Sequence, residues 1–164
     1  MLLLSLPEVA VAYNKDFGLG AAFGELNGIT LETYIGETES IQAFAGYTLF
    51  PGGGVAVIAD YLFHPYSFLK KKTTVDLQFY WGIGAKFIWF TGYFSYYHPD
   101  KKRGSLGIDH FAIGGRAVAG LELAFVNKPF SIFFDLSPFS LVAVIPTPRL
   151  YYDADFCVGF RYWF

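Results

Sequence analysis

The sequence predicts an all-β fold, an eight-stranded antiparallel up-and-down transmembrane β-barrel, and three observations lead there. The first is a composition that is oily without being oily in runs. Of 164 residues, 54% are hydrophobic, 21% aromatic and only 16% charged, whereas soluble domains carry roughly 25% charged residues. No stretch approaches the ~20 consecutive apolar residues of a membrane helix. The second is period-2 alternation, the mark of a strand with two unlike faces. The third is that the charged faces also carry the glycines. A closed barrel meets lipid without a helix because every backbone N–H and C=O pairs with a neighbouring strand.

The chain divides into residues 1–12 and a barrel domain over 13–164. Met1-Leu2-Leu3-Leu4-Ser5-Leu6 is a short apolar segment, and Ala10-Val11-Ala12 has the small-x-small form of a signal-peptidase site. With no positive stretch before it, the segment reads as the remnant of a secretory signal peptide cleaved after Ala12.

The clearest strand is 75–89. Val75, Leu77, Phe79, Trp81, Ile83, Ala85, Phe87 and Trp89 fall on one face, with Asp76, Gln78, Tyr80, Gly82, Gly84, Lys86 and Ile88 on the other. Segment 110–125 repeats this, Phe111, Ile113, Leu121 and Leu123 opposing Gly114, Arg116, Gly120 and Glu122. Over 152–164, Tyr152, Phe156, Val158, Phe160, Tyr162 and Phe164 oppose Asp153, Asp155, Cys157, Gly159, Arg161 and Trp163. Shorter versions at 15–24, 29–35, 41–50, 55–64 and 130–137 bring the count to eight. The weakest is 55–64, where Ile58 and Leu62 share a face with Asp60. Asn27-Gly28, Gly36 with Glu37 to Ser40, Pro51 to Gly54, and Asn127-Lys128-Pro129 supply turn chemistry. Longer connections are expected at 65–74, 90–109 and 138–149.

Parity alone does not say which face points inward, but volume and charge do. An eight-stranded barrel is just wide enough for side chains to fill, so the face with Gly18, Gly20, Gly46, Gly82, Gly84, Gly114, Gly120 and Gly159 belongs inside. That face also holds Glu32, Asp60, Asp76, Glu122, Asp135, Asp153 and Asp155 against Lys86, Arg116 and Arg161. On the lipid face near the midplane, an Arg or Lys costs roughly 2–4 kcal/mol. The expected arrangement is a lumen ion-pair network that plugs the barrel, with glycines leaving room for Arg and Lys to cross.

Phe164, with Tyr162, Phe160, Val158 and Phe156 at alternate positions before it, resembles the C-terminal assembly signature of bacterial outer-membrane barrels. Tyr80-Trp81-Gly82-Ile83-Gly84-Ala85-Lys86, Val118-Ala119-Gly120-Leu121-Glu122 and Val158-Gly159-Phe160-Arg161-Tyr162-Trp163-Phe164 resemble a group of small OmpA/OmpX-type outer-membrane barrel proteins. The resemblance implies a bacterial outer-membrane location, contact with outer-membrane lipid, and insertion by the barrel-assembly machinery, which reads the final strand. It also implies that both chain ends face the periplasm. The connections at 25–28, 51–54, 90–109 and 138–149 then face outward, and 90–109 is the one large enough to present a binding surface at the cell surface.

Little in the sequence points to catalysis. His64 ends a predicted strand, His98 sits in the long loop and His110 opens strand six, so they read as interfacial or loop residues. Their spacing matches no metal-ligand pattern, and a single cysteine, Cys157, allows no internal disulfide. No cofactor and no metal are expected, and a net charge of −2 argues against nucleic acid. Lys70-Lys71-Lys72 reads as solvated loop charge, whereas Lys101, Lys102 and Arg103 on the outer side suit contact with anionic glycolipid or a host glycan. The reading is a non-enzymatic barrel with a plugged polar lumen and a structural or surface-interaction role. The alternatives are an outer-membrane lipid-modifying enzyme and a narrow channel for small solutes.

Overall fold

The computed structural model describes residues 17–49, 53–68, 74–90, 94–98, 101–106, 111–125, 127–145 and 149–164. The signal-like segment 1–12 and Lys70-Lys71-Lys72 lie outside the described residues. Among the described residues there are ten strands: β1 (Phe17–Gly24), β2 (Leu26–Tyr34), β3 (Glu39–Thr48), β4 (Gly54–Ser67), β5 (Val75–Phe90), β6 (Phe94–His98), β7 (Lys101–Leu106), β8 (Phe111–Phe125), β9 (Phe130–Ile145) and β10 (Arg149–Trp163). Eight of them close a barrel in the order β1-β10-β9-β8-β5-β4-β3-β2, every neighbouring pair antiparallel. The remaining two, β6 and β7, form a separate hairpin between β5 and β8. Closure is made by the first and last barrel strands, from Gly18↔Trp163 to Gly24↔Cys157.

Several expected connections are shorter than their sequence suggests. The 90–109 segment contains the β6–β7 hairpin. Most of 138–149 is strand, β9 running to Ile145 and β10 starting at Arg149. Residues 65–67 still belong to β4. At the first turn, Asn27-Gly28 does not form the apex. Gly28 pairs with Ala22 and Gly46, and the chain reverses at Glu25. The Asn27 side chain clamps this turn, its Nδ2 donating to the Gly24 carbonyl at 2.8 Å and its Oδ1 accepting from the Gly24 N–H at 3.3 Å.

The prolines account for two of these differences. On β4 the register steps from Phe63↔Trp81 to Tyr66↔Phe79, so the segment with Pro65 holds one residue more than β5. On β9 it steps from Ala117↔Phe139 to Ala119↔Leu136 on one side, and from Asp153↔Ser140 to Asp155↔Ser137 on the other. The additional residue there surrounds Pro138. Proline has no N–H for the ladder, and a bulge lets the strand continue past it.

The faces sort by parity around the ring. Leu19, Ile29, Ile41, Val57, Ile83, Ile113, Ile132 and Phe160 point outward and are exposed, while Glu32, Asp60, Lys86, Arg116, Asp135 and Arg161 on the intervening positions are buried. Among the described residues no helix is long and apolar enough to cross a membrane, which does not bear on strands.

Candidate functional site

Among the described residues, the lumen is the region where chemistry-bearing side chains converge, and it is layered along the barrel axis. Toward the end bearing the β1–β2 turn and the β6–β7 hairpin, Leu26, Phe44, Ala56, Ile58, Ile88, Phe90, Ala112 and Phe133 form an apolar plug with Ala22 and Cys157. The lumen, expected to be plugged and polar, therefore has an apolar layer as well. The signal was Ile58 sharing a face with Asp60: on β4 the inward face is itself mostly apolar, from Ala56 through Leu62. At the opposite end, where the last strand finishes, Tyr34 packs on Trp163 with ring centroids 5.6 Å apart and on His64 at 5.1 Å. Between plug and aromatic cap lies a sealed polar chamber.

Glycines make the space for it. Tyr80 pairs in register with Gly120, and Phe133 with Gly159. A Cβ on either glycine would collide with the facing ring, so the rings lie where a neighbouring side chain would stand. The long cations follow the same logic, Arg161 pairing with Gly20, Lys86 with Gly114 and Arg116 with Gly84.

Arg161 organises the capped half. It is fully buried and ion-paired through Nη1 with Glu32 Oε2. Its Nη2 donates to Gln42 Oε1 at 2.7 Å and to Thr30 Oγ1 at 3.3 Å, and its guanidinium lies 3.8 Å from the centre of the Phe133 ring. Glu32 also accepts from Ser40 Oγ at 2.6 Å and meets His64 Nε2 at 3.2 Å. Glu122 approaches from β8. Its Oε1 stands 3.9 Å from Arg161 Nη1, beyond hydrogen-bond range, and it hydrogen-bonds Ser131, which accepts from Trp163 Nε1 at 2.8 Å. Nearer the middle, Asp135 accepts from the Tyr80 hydroxyl and from Gln42 Nε2 at 2.8 Å. Nearer the plug, Lys86 is ion-paired with Asp155, and Arg116 lies 3.6 Å from Asp155 and 3.5 Å from Asp60.

The predicted network residues therefore separate by position. Glu32, Glu122 and Arg161 meet at the capped end, and Asp60, Lys86, Arg116 and Asp155 meet nearer the apolar plug, with Asp135 between them. Asp76 is only half-buried, near the chain-terminal end of the barrel, with Ser67 and Gln78. Asp153 sits at the β9 bulge register. Phe156, Val158, Phe160, Tyr162 and Phe164 all face outward on β10 or at its end. Lys101, Lys102 and Arg103 lie on β7, and His98 on β6; His110 lies outside the described residues.

His64 departs from the interfacial position expected of it. Its ring is buried in the chamber, packed 5.3 Å from Tyr80, because β4 runs on past Pro65. Ser40, Gln42, Thr30 and Ser131, also inward-facing, are uncharged and stood out from no pattern. Ser40, His64 and Glu32 carry the residue types of a hydrolytic triad, with Ser40 Oγ 2.9 Å from His64 Nε2. In a working triad the acid holds the ring nitrogen opposite the nucleophile. Here Ser40 and Glu32 share Nε2, while Nδ1 has no hydrogen-bond partner and Ser40 is fully buried. The geometry is that of a buried polar cluster.

The architecture defines a closed eight-stranded β-barrel with its charged groups inside. Compared with known proteins, the chain matches no family model, no curated protein and no solved structure.

Proposed function

We propose that this chain is a bacterial outer-membrane β-barrel of the OmpA/OmpX type, exported by a signal peptide, with a sealed lumen and a structural or surface-interaction role that involves no catalysis. The observation that carries the reading is the outward face. Large apolar side chains stand exposed on every barrel strand, Ile83 at 63% and Phe23 and Ile29 at 58%. Soluble monomers rarely expose a contiguous apolar patch beyond a few hundred Å², whereas a belt flanked by aromatic girdles is the lipid-facing surface of a membrane barrel. Aromatic residues bracket the belt at both ends, with Tyr162, Phe164 and Phe130 packed together at one and Phe87 on Phe111 near the other.

The partners that fit are outer-membrane lipid around the belt and the barrel-assembly machinery reading the exposed Phe156–Phe164 face. At the surface, an anionic glycolipid or host ligand would meet the Lys101-Lys102-Arg103 run on β7. Gel migration tests the membrane reading. Folded in detergent and left unboiled, the protein should migrate apart from the boiled sample, because a closed barrel resists SDS. Identical migration, together with solubility in plain buffer, would overturn the assignment.

A further inference from the structure

Between the apolar plug and the aromatic cap, five buried carboxylates (Glu32, Asp60, Glu122, Asp135 and Asp155) face three buried cations, Lys86, Arg116 and Arg161. Among these eight groups the formal charges leave two negative in excess. Desolvated ions without counter-charge cost several kcal/mol each, so the folded chamber must acquire positive charge from outside the chain. One of the two lies at the capped end, where Glu32 and Glu122 face Arg161, and the other falls to Asp135. Arg161 is committed to Glu32, and Glu122 Oε1, with Glu122 1% exposed, has no hydrogen-bond partner.

We propose that Glu32, His64 and Glu122 form a binding site for one divalent first-row transition-metal ion of the Zn2+ class. One donor atom from each of the three residues lies within 4.8 Å of the others. Two of them, His64 Nε2 and Glu32 Oε1, are 3.2 Å apart. Ligands at about 2.1 Å in a tetrahedral arrangement are separated by about 3.4 Å, so that pair stands near coordinating distance once the Ser40 hydroxyl, which bonds both atoms, gives way to the ion. Glu122 completes the set by rotation about its terminal torsion, which is broad and roughly two-fold. One imidazole and two carboxylates suit Zn2+, Co2+ or Mn2+ better than Ca2+, which takes six to eight oxygens. A divalent ion also brings positive charge to the capped end, where Glu32 and Glu122 outnumber Arg161. Glu32 bridges two roles here, one oxygen to Arg161 and the other to the metal, as carboxylates around a metal commonly do. Metal loading needs no catalytic role and would lock the three strands β2, β4 and β8 together through one ion.

The test uses the full chain folded in detergent micelles, stripped with EDTA, loaded with Zn2+ or Co2+, and desalted. About one ion per chain should be retained by elemental analysis, and bound Co2+ should show visible absorption bands that EDTA removes. Glu122→Gln should weaken retention at least tenfold. Asp60→Asn, which removes the same charge from the group beside Arg116 nearer the plug, should change it by less than twofold. If Glu122→Gln fails to fold, His64→Gln serves as the second variant, and the wild-type Co2+ spectrum stands independently. A wild-type protein that desalts free of metal and shows no Co2+ bands overturns the proposal, the excess charge then being held as protons. Equal losses for Glu122→Gln and Asp60→Asn, or full retention by Glu122→Gln, overturn it as well.

Discussion

Replacing Arg161 by alanine removes the cation that holds Glu32, along with hydrogen bonds to Gln42 and Thr30 and the stacking of the guanidinium on Phe133. The carboxylate it leaves behind is buried, with Ser40 and His64 as its remaining partners. Breaking a buried pair from one side costs about 3–5 kcal/mol, because the remaining charge keeps its desolvation penalty. With a urea slope of about 2 kcal/mol per M, a loss of about 4 kcal/mol lowers the unfolding midpoint by about 2 M. Tryptophan fluorescence of the micelle-folded chain reads that midpoint, Trp163 reporting from the chamber cap and Trp81 and Trp89 from the outer belt. Lys128→Ala, in an exposed turn, should stay within about 0.5 kcal/mol of wild type. The double variant Arg161→Met, Glu32→Gln removes both charges and should recover more than half of the single-variant loss. A midpoint for Arg161→Ala no lower than that of Lys128→Ala would refute the buried-pair reasoning, and so would a double variant as unstable as the single one.

Gly159→Ala should destabilise by about 1–3 kcal/mol through overpacking against Phe133. Phe133→Leu in the same chain should relieve part of that loss, as a double-mutant cycle in chemical denaturation would show. Cys157 is buried beside Asp135, so a bulky maleimide should label it at least a hundredfold more slowly in the folded barrel than in denaturant. Rapid labelling of folded protein would mean that Cys157 faces outward.

The strands that could be read from sequence are those where one face is uniformly large and the other small or charged. On β5, β8 and β10 every second residue changes character, so the alternation specified both the strand and its inner face. The second half of β9 was hidden because Ser137-Pro138 resembles a turn, and the bulge that accommodates proline shifts the parity of the residues beyond it. His64 was lost for a related reason, since a histidine just before Pro65 looks like the last residue of a strand. The charged members of the chamber were legible individually, but which carboxylate meets which cation depends on the stagger of strands around the ring. Nothing in a linear pattern places Glu32 beside Arg161 in preference to Asp60. The apolar plug was obscure because inward aliphatic residues on β4 make both its faces alike.

The seam between β1 and β10 joins residues far apart in the chain, and so does Arg161, whose bonds to Glu32 and Gln42 span 129 and 119 positions. Chain entropy opposing closure grows as (3/2)RT ln n, roughly 4 kcal/mol for such a span against about 1.4 kcal/mol for a five-residue turn. Hairpins can form early and locally, but β1 cannot find its second neighbour until every intervening strand is in place. Until then the carboxylate of Glu32 lacks its guanidinium, and an open sheet would hold an unneutralised charge. Ring closure and neutralisation of Glu32 are thus one event, which makes partly assembled sheets unstable and concentrates the folding barrier at the arrival of the last strand.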